Sequence, residues 1–104
     1  MQNAKRFRSV AAPTSVAAGA GTDVSDLVSV TVGLSSVGTG TYQGQISVDG
    51  GSTWLNQGAA LTAAGTLALP DGAGMFRWNC TAYTSGTPTS TLGGVKSMIG
   101  QDGI

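Results

Sequence analysis

Apolar and polar residues alternate along several short windows of this chain, and a period of two predicts strands. In LVSVTVGL, residues 27–34, the alternation sets Val28, Val30, Val32 and Leu34 on one face against Ser29, Thr31 and Gly33 on the other. TYQGQISVDG repeats the device, with Tyr42, Gly44, Ile46 and Val48 opposed to Gln43, Gln45 and Ser47. The clearest window is MFRWNCTAY, where Phe76, Trp78, Cys80 and Ala82 share one face and Met75, Arg77, Asn79, Thr81 and Tyr83 the other. Each predicts a strand with one buried face. TWLNQ and GTLALP are briefer candidates, the second ended by Pro70 and the turn-forming pair Asp71-Gly72, and Thr87–Leu92 and Val95–Ile99 supply the last two.

About seven or eight short strands with turn signals every 8 to 12 residues or so predict an all-β fold, an antiparallel β-sandwich of jelly-roll or immunoglobulin-like type. The chain before them reads differently. SVAAPTSVAAGAGT, residues 9–22, has the alanines of a helix, but Pro13, Gly19 and Gly21 interrupt it. The expected organisation is an extended N-terminal arm over residues 1–24 and a sandwich domain over residues 25–104.

Composition narrows the class. A chain of 104 residues is one small domain with a modest core. Only 10% of the residues are charged, against roughly 25% in an average soluble domain, which suggests that much of the surface faces another chain. Gly, Ala, Ser and Thr make up about half the sequence and favour turns, short strands and close backbone approach over long helices. Net charge is zero but unevenly placed: Lys5, Arg6 and Arg8 concentrate positive charge at the start, while five aspartates outweigh Arg77 and Lys96 in the remainder. A basic arm on a weakly acidic body suits docking on a neighbouring copy or another acidic partner; nucleic acid is not favoured. The single Cys80 allows no internal disulfide framework. No apolar run of signal-peptide or membrane-span length follows the basic start, so synthesis in a cytoplasm and no membrane partner are expected.

The stretch SVDGGSTW, Ser47–Trp54, begins at the end of one predicted strand and runs into the next. Asp49, Gly50 and Gly51 therefore fall where the chain must reverse, with Gly supplying positive φ and Asp accepting backbone hydrogen bonds. The pattern Ser-x-Asp-x-Gly-x-Thr-Trp resembles the Asp-box of the sialidase and BNR-repeat families, which implies a hairpin motif lying away from any catalytic centre, with Trp54 packed over its own turn. A sialidase would need several such boxes, an arginine cluster and an acidic partner. Here there is one box, Arg6 and Arg8 sit in the arm, and there is no Glu.

The side-chain inventory leaves little chemistry. Without histidine there is no Ser-His-Asp triad, no Cys-His nucleophile and no His-ligated metal. Cys80 falls on the predicted buried face. Asp49 lacks the Asp-x-Asp-x-Asp-Gly pattern of a calcium loop, and no phosphate-binding Gly-x-x-x-x-Gly-Lys-Ser/Thr is present. No catalytic, cofactor-binding or metal-ligating residue is expected. Phe76 and Trp78 read as core, and Tyr83 with Arg77 forms the best surface patch.

The whole chain resembles a family more than any one motif does. An N-terminal arm, then VSVTVGL, YQGQISVDGGSTW and LTAAGTLALPDGAGMFRWNCTAYTSGTPTSTL are similar in style to the small β-sandwich virion proteins of tailed bacteriophages, such as capsid cement (decoration) proteins. The resemblance runs from about Val28 to Leu92. It implies a non-enzymatic structural protein on the outer capsid surface, forming homo-oligomers with trimers favoured and binding the major capsid protein to stabilise the head. Lys5, Arg6, Phe7 and Arg8 are then the expected contacts of the arm, and Arg77 and Tyr83 those of the body. A phage tail or fibre component and a surface glycan-binding module remain the alternatives.

Overall fold

The computed structural model describes residues 5–35 and 39–96. Nine strands form there: β1 (Lys5–Val10), β2 (Ala17–Ala18), β3 (Thr22–Asp23), β4 (Leu27–Ser35), β5 (Gly40–Ser47), β6 (Leu55–Asn56), β7 (Gly65–Ala68), β8 (Met75–Tyr83) and β9 (Thr89–Lys96). They make two antiparallel sheets. One has the order β1-β9-β4-β7; in the other β2-β8-β5-β6 are joined in order, and β3 also pairs with β8. No helix is present among the described residues, and so none long and apolar enough to cross a membrane.

The inner faces meet in one core. Val30, Val32 and Leu34 of β4 and Leu92 of β9 face Tyr42 and Ile46 of β5 and Phe76, Trp78 and Cys80 of β8. Phe76 and Trp78 pack edge to face with ring centroids 5.0 Å apart. At the centre Trp78 Nε1–H donates to Ser90 Oγ at 2.8 Å, and that hydroxyl donates to the Gly33 carbonyl at 2.7 Å. This relay joins β8 of one sheet to β9 and β4 of the other, and among the described residues no buried side-chain nitrogen or oxygen lacks a partner. The sheets also approach closely at Gly44, where a methyl group would collide with Leu67 and crowd Phe76.

Two bulges alter the faces that simple alternation predicts. Between Val28 and Thr31 the β4–β9 register shifts, Ser29 takes φ 55°, and Asp71 Oδ1 accepts the freed Ser29 N–H at 3.0 Å. Leu27 thereby enters the core, and Val28, expected there, is only half-buried. A second shift beside Thr41 and Tyr42 gives β8 an extra residue, which turns Ala82 out to solvent and Tyr83 inward against the core. Val48 is exposed in place of its expected burial, because the chain has already turned and buries Ser47 instead. The segment Thr87–Leu92 and the start of Val95–Ile99 form the single strand β9; residues 97–99 lie outside the described residues.

The largest revision concerns residues 5–24, expected as an arm distinct from the sandwich. They are extended, but they are laid into both sheets: β1 pairs with β9 over six residue pairs, then β2 and β3 pair with β8. Val10 and Val24 are core residues, the buried Tyr42 hydroxyl donates to the Pro13 carbonyl at 2.6 Å, and Gly19 N–H donates to the Trp78 carbonyl at 2.7 Å. So few large apolar residues mark this segment that periodicity could not show it as sheet.

Replacing Ser90 by Ala leaves Trp78 Nε1–H and the Gly33 carbonyl buried without this partner. The expected cost is about 1–3 kcal/mol, read as a lower urea midpoint with an unchanged slope.

Candidate functional site

The Asp49 turn is built almost wholly from its own residues. Gly50 and Gly51 take φ of 80° and 100°, which only glycine adopts without strain. Asp49 Oδ1 accepts the N–H groups of Ser52 and Thr53 at 3.1 and 2.9 Å and the Ser47 hydroxyl at 2.8 Å, while Ser47 Oγ accepts the Gly51 N–H at 2.8 Å. These bonds, led by the Thr53 N–H and the Ser47 hydroxyl, hold the Asp49 carboxyl down to about 2. One oxygen of the carboxylate, Oδ1, is thus engaged three times over by its own turn. Trp54 closes the motif by donating its indole N–H to the Gly51 carbonyl at 3.1 Å.

Arg77 and Tyr83, expected as one surface patch, are separated by the β8 bulge. Arg77 lies on the outer face, where its Nε–H donates to Gln45 Oε1 at 2.8 Å and its guanidinium sits 4.4 Å from the centre of the Trp54 ring. Tyr83 packs against the core and donates its hydroxyl to the Gly86 carbonyl at 2.6 Å. One face of Trp54 is therefore covered by Arg77, and Tyr83 points away from it.

The basic residues of the N-terminal segment also divide. Arg8 is held by a two-pronged bond to Asp26, at 2.9 and 2.7 Å, and donates to the Asp23 carbonyl at 2.6 Å. The Arg8 hydrogen bonds hold the Asp26 carboxyl below the usual range. Both side chains of the pair are partly exposed, so its net contribution is about 0–1 kcal/mol. Lys5 and Arg6 are exposed, and neither meets a carboxylate among the described residues.

Phe7, between Arg6 and Arg8, is 72% exposed, more than any other large apolar side chain described. Its ring lies beside Gly93 on the outer face of the four-stranded sheet. Two shallow depressions mark that face. One of about 470 Å³ is lined by Gly33, Thr66, Thr89, Thr91 and their neighbours, and one of about 230 Å³ is bordered by Lys5, Phe7, Thr31, Gly93 and Val95. Small uncharged side chains dominate both, and Lys5 is their one charged lining residue among the described residues. Sequence alternation could not mark this face as special, because the residues forming it are the ordinary polar partners of buried ones. Among the described residues no group of three metal-ligating side chains converges.

The chain matches no protein-family model, and comparison with curated proteins and with solved structures finds no match either.

The Asp49 turn generates an acid-stability prediction. The folded carboxyl binds its proton less readily than the ordinary value of about 3.9 in an unfolded chain. Its contribution is therefore complete above about pH 4 and is lost as pH falls toward about 2. In urea unfolding, Asp49→Ala should be less stable than the unaltered chain at neutral pH, and the gap should narrow through that window; a gap independent of pH would contradict the assignment.

Proposed function

We propose that this chain is a non-enzymatic structural protein of a tailed-phage virion, a capsid cement protein that docks on the major capsid protein and acts as a homo-oligomer, a trimer being favoured. The observation that carries the reading is the outer face of the β1-β9-β4-β7 sheet: a broad, nearly uncharged surface of Thr, Ser and Gly, with the exposed Phe7 ring at its β1 border. Such a surface suits contact through buried area. Among the described residues it carries no cluster of titratable groups. The style of the sequence from Val28 to Leu92 supplies the virion setting, and the sandwich architecture is compatible with it.

Contact with the shell would then run through the β1 border of the sandwich, with Lys5, Arg6 and Phe7 as principal residues. Arg8 serves the fold through Asp26. Removing residues 1–24 would take away β1, β2 and β3 with the core residues Val10 and Val24, so point substitutions on the outer face are the sound way to probe docking. A glycan-binding module is less well supported, since one face of Trp54 carries Arg77 and Tyr83 is turned to the core.

Mixing the purified chain with undecorated tailed-phage capsids and imaging by electron cryomicroscopy tests the proposal. Regular density at symmetry-related positions on the outer shell is the expected outcome. Bare shells, with cofractionation on tails instead, would move the assignment to a tail or fibre component.

A further inference from the structure

Strand β1 is the outermost of its sheet: one side pairs with β9 from Lys5↔Val95 to Val10↔Ser90, and among the described residues no strand pairs with the other. A free edge presents a row of unsatisfied N–H and C=O groups, and proteins commonly guard it with lysine and arginine. The run KRFR satisfies that rule in its cations and breaks it in Phe7. A guarded edge has no reason to carry at its middle the most exposed large apolar side chain of the described residues. The ring lies against Gly93, beside the depression of about 230 Å³ that includes Thr31 and Val95, so the edge carries an apolar seat on its outer face.

The charges complete the pattern. Arg8 is engaged by Asp26 and the Asp23 carbonyl. Lys5 and Arg6 are exposed and, among the described residues, meet no carboxylate. As successive residues of a strand they point to opposite faces, so both sides of the edge begin with positive charge. We propose that the free edge of β1 takes up an extended acidic segment of a partner protein as an added strand, with one apolar side chain of that segment beside Phe7 and its carboxylates facing Lys5 and Arg6. A peptide strand matches the alternating donors and acceptors of the edge, whereas a nucleic-acid backbone offers chiefly acceptors. A second copy pairing through its own β1 would set two clusters of like charge together. The identification of the partner as a capsid protein rests on the virion reading above; the edge chemistry does not.

The probe is a fluorescein-labelled peptide in which one central valine is flanked on each side by two successive acidic residues, titrated with the full chain and followed by anisotropy. Saturable binding is expected that weakens about tenfold between low and high salt and about tenfold or more in the Lys5→Glu/Arg6→Glu double variant. Phe7→Ala should weaken it while leaving the urea midpoint unchanged, since the ring is exposed. Hydrogen exchange should slow at β1 amides on binding. The proposal is overturned by absence of binding, by equal binding of a lysine-valine peptide, by preference for single-stranded oligothymidylate, by protection confined to other strands, or by dimerisation through β1. The two readings fail separately. Capsid decoration that survives the double variant would sink the edge assignment alone, and peptide binding by a chain that leaves capsids bare would sink the virion reading alone.

Discussion

Everything in this sandwich is arranged around the buried hydrogen bond from the Trp78 indole to the Ser90 hydroxyl. The core packs Val, Leu and Ile side chains around the buried rings of Tyr42, Phe76 and Trp78, and an indole carries a donor that must be satisfied when water is excluded. Ser90 accepts it and donates a hydrogen bond from its own hydroxyl to the Gly33 carbonyl, so a single relay ties three strands across both sheets. That fixes the register of β8 relative to β9 and β4, and with it the side of each sheet that solvent sees. Gly44 holds the same spacing from the opposite direction, because the inter-sheet gap there is already filled by Leu67 and Phe76.

The N-terminal segment makes the second structural commitment. By joining β9 through β1 and then β8 through β2 and β3, it laces the two sheets along one side. The Tyr42 hydroxyl, pushed up to about 12 by burial and then by the neighbouring Cys80 thiol, anchors the crossing at Pro13. The lacing explains why the basic residues divide as they do. Val10 must enter the core, which brings Arg8 to the rim beside Asp26 and leaves Lys5 and Arg6 beyond it. The surface for docking is thus a consequence of how far β1 reaches past the core.

The Asp49 turn illustrates how a motif can be chemically suggestive and structurally self-sufficient. Its carboxylate is depressed by bonds to its own backbone and hydroxyl groups, so its altered titration reports a tight turn. Trp54 likewise spends its indole N–H within the turn and one ring face on Arg77.

The all-β class, the strands at β4, β5 and β8, the burial of Phe76, Trp78 and Cys80, and the reversal at Asp49-Gly50-Gly51 were legible in the sequence. Each is dictated locally, by a period of two or by a glycine's access to positive φ. The bulges at Ser29 and Thr81 were not legible, since an inserted residue is recognised only against the strand it faces; they decided that Leu27 and Tyr83 turn inward while Val28 and Ala82 do not. Nor could Lys5–Val10 be recognised as a strand, with one buried apolar residue and no alternation to expose it. The sequence by itself determined the strands that carry their own periodicity and the turn that bonds to itself. Only tertiary structure decided which cations stay free and which face is left uncovered, because those depend on contacts between residues distant in sequence, from Arg8 with Asp26, 18 positions apart, to strand pairs such as Lys5 with Val95, whose energetics no local pattern encodes.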